Sequence, residues 1–332
     1  MSNYLIGRGN SGEHYFFRPY EGLCMKRLNP SGTFSEHSQI VALGREPFSV
    51  FLSSDGSIHL VCADAENMLV YATSRNGVWK RYIIAKIPNG VVVTKMHLYA
   101  VGGRLNLLYS ALFSGEHLLI HCILGNHAKP STVSALSCPH FFVHKNKVYY
   151  TKPDGMLGFT PLYDEKPENF NRLYDDAESV SVWEKDEKDF LIFVRNSRLF
   201  INGKEVVYDS CIENPIFVKG SDRLYVMWKS GGFIRYISSF NGGVTWSEPM
   251  RFINTGIMPK LYTCLGRDYF RLYYGYETKN SLTLLGVANA FPFEENSELR
   301  DIKNKLSQKT KEAENAKKEV ERLNKILSGL IP

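Results

Sequence analysis

The chain has 332 residues, 44% hydrophobic and 13% aromatic with 19 Tyr and 20 Phe, which suits one large domain or two ordinary ones rich in β structure. No run of 18 apolar residues occurs, so a membrane-spanning helix is excluded, and the opening from Met1 to Arg8 lacks the order of a secretory leader. The net charge of +6 is modest, with no basic run outside the C-terminal tail, so no nucleic-acid surface is expected. These features predict a cytoplasmic product, unless it is released as a phage or spore-surface component.

From the N-terminus onward, an apolar run breaks seven times at a tight polar turn and resumes as a second apolar run. The turns begin near Asn10, Ser53, Val101, His144, Lys185, Gly220 and Gly266, with steps of 43, 48, 43, 41, 35 and 46 residues. Phe48–Leu52 followed by Ile58–Cys62 is one such pair, and Ile216–Lys219 followed by Leu224–Trp228 is another. A period of about 40–50 residues with several short strands per unit marks a β-propeller. Seven blades are expected over 1–293, with six as the alternative because the fifth unit is short and the last has no clear fourth strand. Continuous apolar runs such as Phe190 to Val194 fit sheets covered on both faces.

Cys24, Cys62, Cys122 and Cys264 lie inside such runs and no C-x-x-C pair exists, which predicts buried thiols and neither disulfide nor metal site. His14, His59, His97 and His121 fall in or beside strands and are expected to be structural. No G-x-S-x-G, Walker, H-E-x-x-H or EF-hand pattern is present, so no cofactor is expected.

Aligning the ends of the second strands brings Arg18, Asp64, Tyr109, Lys152, Arg195, Trp228 and Tyr274 to similar heights, with Tyr276 and Glu277 in a following loop. A ring of Arg, Lys, Tyr and Trp at a channel mouth suits an acidic or sugar-like ligand held by charge and stacking. Arg18, Tyr109, Lys152, Arg195, Trp228, Tyr274 and Tyr276 are the candidate ligand-binding residues.

Further along, Ser239-Phe240-Asn241-Gly242-Gly243-Val244-Thr245-Trp246 places Ser239, Asn241, Gly243, Thr245 and Trp246 in a polar turn between a third and a fourth strand. Degenerate echoes stand at Ser74 to Trp79 and Pro30 to Glu36. The segment resembles the Asp-box (BNR repeat) of sialidase-superfamily propellers, S-x-D-x-G-x-T-W, with Asn241 in place of the aspartate. The resemblance implies the fold and is silent on catalysis, because in that family the boxes lie on the rim. Sialidase chemistry further needs an arginine triad, a Tyr/Glu nucleophile pair and an acid/base carboxyl. Phe17-Arg18-Pro19 only shadows the family's arginine motif and no triad can be assigned, so no catalytic residue is named.

From Ser297 the composition changes to Lys, Glu, Ala and Leu. Heptad spacing puts Leu299, Leu306, Ala313, Val320 and Leu327 at one seam position and Ile302, Lys309, Ala316, Leu323 and Leu330 at the other. This predicts a C-terminal coiled-coil helix over 294–332, with Leu299, Ile302, Leu306, Val320, Leu323 and Leu327 as oligomerisation contacts. The whole reads as a non-catalytic propeller that binds a glycan or protein at its channel mouth and is made multivalent as a homo-oligomer by its tail. A sialidase-type glycoside hydrolase acting on acidic glycans is the alternative.

Overall fold

The computed structural model describes residues 3–8, 13–19, 22–29, 32–75, 77–125, 130–162, 169–185, 188–220, 223–252, 257–265 and 270–286. The expected coiled coil over 294–332 lies outside them.

The described residues form 27 strands and no helix. The first unit holds β1 (Asn3–Arg8), β2 (Glu13–Pro19), β3 (Leu23–Leu28) and β4 (Phe34–Val41). The second holds β5 (Gly44–Leu52), β6 (Ile58–Asp64), β7 (Met68–Arg75) and β8 (Val78–Lys86), and the third β9 (Val92–Val101), β10 (Arg104–Phe113), β11 (Glu116–Ile123) and β12 (Ser131–Leu136). The fourth consists of β13 (Phe141–His144), β14 (Lys147–Thr151), β15 (Leu157–Pro161) and β16 (Asn171–Tyr174). The fifth consists of β17 (Ser179–Lys185), β18 (Lys188–Arg195), β19 (Arg198–Ile201) and β20 (Lys204–Tyr208). The sixth has β21 (Glu213–Lys219), β22 (Leu224–Ser230), β23 (Phe233–Ser239) and β24 (Met250–Arg251), and the last β25 (Lys260–Leu265), β26 (Phe270–Glu277) and β27 (Leu282–Leu284).

All seven sequence units therefore fold as antiparallel meanders, yet they make six sheets rather than seven. Five sheets have four strands in consecutive order, and the sixth runs β27-β26-β25-β1-β2-β3-β4. The first and last units are fused because β1 pairs in parallel with β25, setting Tyr4 against Thr263, Leu5 against Cys264 and Ile6 against Leu265. The expectation of seven separate blades is corrected to six blades, since this ladder makes one blade of two units.

The core lies between blades. Leu107 packs toward the second unit with Val61, Ala63 and Leu69, whereas its neighbour Leu108 packs toward the fourth with Phe141, Val148 and Tyr150. Alternate side chains of one strand thus serve two different interfaces, which is why both parities are apolar. Phe190 to Val194 in β18 behaves alike: Leu191 meets Phe142 and Tyr149, while Ile192 and Val194 meet Val226 and Trp228. At the channel, Tyr4 of β1 donates to Ser49 Oγ of β5 at 3.3 Å, and the Leu98 amide of β9 donates to the same oxygen at 2.9 Å. One serine so links three first strands around the axis. The six cysteines are all free, and Cys24, Cys62, Cys122 and Cys264 are buried in strands as expected.

Candidate ligand-binding site

Second strands end on the rim where the loops between units also arrive. Two of the predicted residues occupy that rim by their own strand ends: Arg195 closes β18 and Lys152 follows β14. Both cations fold back onto rings, Lys152 Nζ at 4.1 Å from the Phe170 centroid and Arg195 Cζ at 4.6 Å from that of Phe200. Arg18 lies in the last turn of the β2 ladder, opposite Cys24.

The aromatic residues of the predicted ring are placed differently. β10 continues four residues beyond Tyr109, β22 two beyond Trp228 and β26 three beyond Tyr274, so these rings sit inside sheets and not at their tips. Trp228 is fully buried and Tyr109, Tyr274 and Tyr276 are buried as well. Tyr274 donates to the carbonyl of Asn214 at 2.8 Å and reaches that of Glu213 at 3.2 Å. Burial pushes the Tyr109 phenol up to about 12. None of the four offers a ring face to a ligand in this structure. The sequence error was one of register: an apolar run shows where a strand passes, and its last hydrogen-bonded residue has to be read from the ladder.

Around these rings, acids and bases of the rim neutralise one another. Asp209, in the loop entering β21, accepts from Trp228 Nε1 at 2.8 Å, Arg235 at 3.0 Å, the Cys211 amide at 3.1 Å and Ser230 Oγ at 3.2 Å. Burial alone would raise its carboxyl, but these donors and the Arg235 charge outweigh it and hold the group below the ordinary carboxylate range. Lys229 pairs with Glu213 at 3.0 Å and Lys260 with Glu277 at 2.8 Å. Glu277 also accepts from the Tyr262 hydroxyl at 3.2 Å, and Tyr262 is fully buried. A second phenol–carboxylate contact lies on the opposite side, where Asp189 accepts from Tyr149 and from Lys147, each at 2.7 Å. Burial first, then Asp189, pushes the Tyr149 phenol up, so this hydroxyl stays protonated. Neither contact was read from the sequence, because each joins residues on different strands with no fixed spacing.

A shallow open cleft lies among the strands facing the axis. Phe142 of β13, Ser181 and Trp183 of β17, Phe217 and Lys219 of β21 and Arg271 of β26 line it. Trp183 is part-exposed and packs against Phe217, with ring centroids 5.5 Å apart. These residues lie in the half of β17 and β21 nearer the hairpins to β18 and β22, away from the rim predicted from sequence. Four aromatic rings, with Tyr273 the fourth, two cations and the Ser181 hydroxyl thus share one concavity, and no described residue of its lining is a carboxylate.

The turn at 239–246 closes on itself between β23 and β24, as predicted. Ser239 Oγ donates to Asn241 Oδ1 at 2.8 Å and accepts from the Gly243 amide at 2.8 Å. The Thr245 amide donates to Asn241 Oδ1 at 3.0 Å and Asn241 Nδ2 donates to Thr245 Oγ1 at 2.8 Å. Gly243 has φ +92°, a conformation that favours glycine. The likeness of this turn to an Asp-box extends over eight residues.

The sequence matches no protein-family model and no curated protein sequence. Among solved structures, AofleA from Arthrobotrys oligospora is 12% identical, with 86% of each chain covered and a TM-score of 0.45. A variant of the Aleuria aurantia lectin in complex with alpha-methyl-L-fucoside is 10% identical, covering 85% of this chain and 90% of that one, at a TM-score of 0.46. The AfRom2 CNH domain is 9% identical, covering 84% and 92%, at a TM-score of 0.48. At this level of similarity no activity passes from these proteins to the present chain, and the propeller assignment rests on the strand pairing itself.

Proposed function

We propose that the chain is a non-catalytic recognition module that binds a glycan in the channel cleft. The observation that carries this reading is the composition of the cleft: Trp183 and Phe217 supply apolar ring surface, Lys219 and Arg271 supply charge, and no carboxylate stands among the described residues of the wall. Sugar rings present an apolar face and a hydroxylated edge, which such a lining matches. Hydrolysis of a glycosidic bond with two carboxyl groups has no pair to draw on there. The proposal moves the ligand from the predicted rim ring to the cleft, and keeps Arg18, Lys152 and Arg195 as rim residues that a longer ligand would reach.

The tail enters the same proposal. A coiled coil over 294–332 would present several propellers together, so that weak single-site binding sums to useful avidity. The test is a glycan-array and fluorogenic-glycoside screen on the full chain, beside a 1–296 truncation and the variants Trp183→Ala and Arg271→Gln. Retention without turnover, lost at least tenfold in either cleft variant and weakened in the truncation, is the expected result. Retention unchanged in both cleft variants would remove the cleft from the reading. The competing reading, a sialidase-type hydrolase, is favoured by the phenol–carboxylate contacts Tyr262–Glu277 and Tyr149–Asp189, and turnover abolished by Tyr262→Phe or Tyr149→Phe would establish it.

A further inference from the structure

Several cations near the rim are paired with an acid close by in the same unit or its entering loop: Arg172 with Asp175 at 2.6 Å, Arg235 with Asp209, Lys229 with Glu213 and Lys260 with Glu277. A cation at the junction of the third and fourth units is held differently. Lys95 lies near the start of β9, on the strand face that Tyr99 shares, turned toward the fourth unit. Its ammonium donates to the Phe141 carbonyl at 2.5 Å and stands 5.0 Å from the centroid of the Phe141 ring. Among the described residues no carboxylate pairs with it.

What surrounds this lysine is basic or neutral. Ser110, directly opposite Lys95 in the β9–β10 ladder, donates to the Pro139 carbonyl at 2.9 Å and so holds the 137–140 loop over the amine. That loop carries Cys138, whose thiol donates to the Glu178 carbonyl at 3.2 Å, and His140. His97 follows two residues along β9, and both imidazoles lie close enough to the Lys95 charge to feel it. His117 on β11 is near His140, and its Nδ1 is buried without a hydrogen-bond partner. Burial pushes the Lys95 amine down to about 8, with Cys138 acting in the opposite sense. A half-buried cation with no acid beside it is costly, and an anion from outside would offset that cost.

We propose that the junction of β9 with the 137–140 loop is an anion-binding site, in which a carboxylate or phosphate group of a ligand is paired to Lys95 and accepts a hydrogen bond from His140 or His117. The anion there supplies the counter-charge that those other cations find in a neighbouring carboxylate of the chain. Phe141 faces this site and Phe142 faces the channel cleft, so two neighbouring residues of β13 separate two distinct ligand positions.

The experiment is calorimetric titration of the full-length chain at low ionic strength with inorganic phosphate and, separately, with acetate. Lys95→Met, His140→Gln and the control Lys86→Met are titrated alongside, each first checked by thermal melting. Saturable binding with one anion per chain is expected, unchanged in Lys86→Met, at least tenfold weaker in Lys95→Met and several-fold weaker in His140→Gln. Phosphate binding alone, or acetate binding alone, identifies which oxyanion the site takes. Absence of saturable binding, or equal affinity in the wild type and the Lys95→Met protein, would overturn the proposal. Should Lys95→Met melt below the working temperature, unchanged affinity in both His140→Gln and His117→Gln would overturn it equally.

Discussion

Four donors converge on the carboxylate of Asp209, among them the buried Trp228 indole and the Cys211 amide. Replacing Asp209 by Ala removes the acceptor and leaves Arg235 without its counter-charge. Equilibrium urea unfolding of Asp209→Ala is expected to show a loss of about 3 kcal/mol. The sign of the pH effect follows from the depressed carboxyl. Its contribution is complete above the unfolded value of about 4 and disappears as pH falls through the lower folded value. Asp209→Asn should accordingly flatten the acid limb of a stability–pH curve below about pH 4. Trp228 illustrates what was hidden at this scale. Its indole needs a buried acceptor, and that acceptor sits nineteen residues away in a loop whose sequence, Asp209-Ser210-Cys211, carries no distinguishing pattern.

Strands and turns were the most legible level. The turn at Ser239–Trp246 is specified by local chemistry: a short polar side chain bonds nearby amides and a glycine takes positive φ. Asn241→Ala removes the hub of that network and is expected to cost about 1–2 kcal/mol, whereas Asn241→Asp keeps the acceptor for the Thr245 amide and should stay within about 0.5 kcal/mol of wild type, both by urea unfolding. Apolar runs located the strands because every propeller sheet is covered on two faces. The same property concealed their ends, since a fully apolar strand has no alternation from which facing or register can be read. Tyr109, Trp228 and Tyr274 were assigned to the rim for that reason, and the cleft residue Trp183 was passed over as part of a strand.

At the level of the whole molecule the repeat predicted a ring, while its blade count depended on one long-range pairing. Nothing local in Tyr4-Leu5-Ile6 indicates a parallel partner at Thr263 to Leu265, because parallel ladders leave no turn signature between their strands. Leu5 is fully buried and paired on both sides, with Phe16 and with Cys264. Leu5→Pro deletes a ladder donor at the closure and is expected to cost about 3 kcal/mol or more, with the loss shared by all spectroscopic probes. A second global property is acid sensitivity. Burial first and then the Lys95 charge push His97 down to about 3 and His140 down to about 4. The unfolded chain takes up protons near 6.5 and the folded one does not, so stability falls from about pH 6.5 toward those lower values and levels off below them. Melting temperatures at pH 7.5 and 5.5 should differ, and His140→Gln should narrow the difference.

The closure ladder also sets a timetable for synthesis. Asn3 pairs opposite Tyr262, so the first strand leaves the ribosome 259 residues before its partner exists. At about 5–20 residues per second, β1 waits on the order of ten to fifty seconds, offering on one side an unsatisfied row of amides and carbonyls. During that interval the growing arc is an open chain of blades with a reactive leading edge, and the neighbour it meets on a crowded polysome is the same edge of another copy.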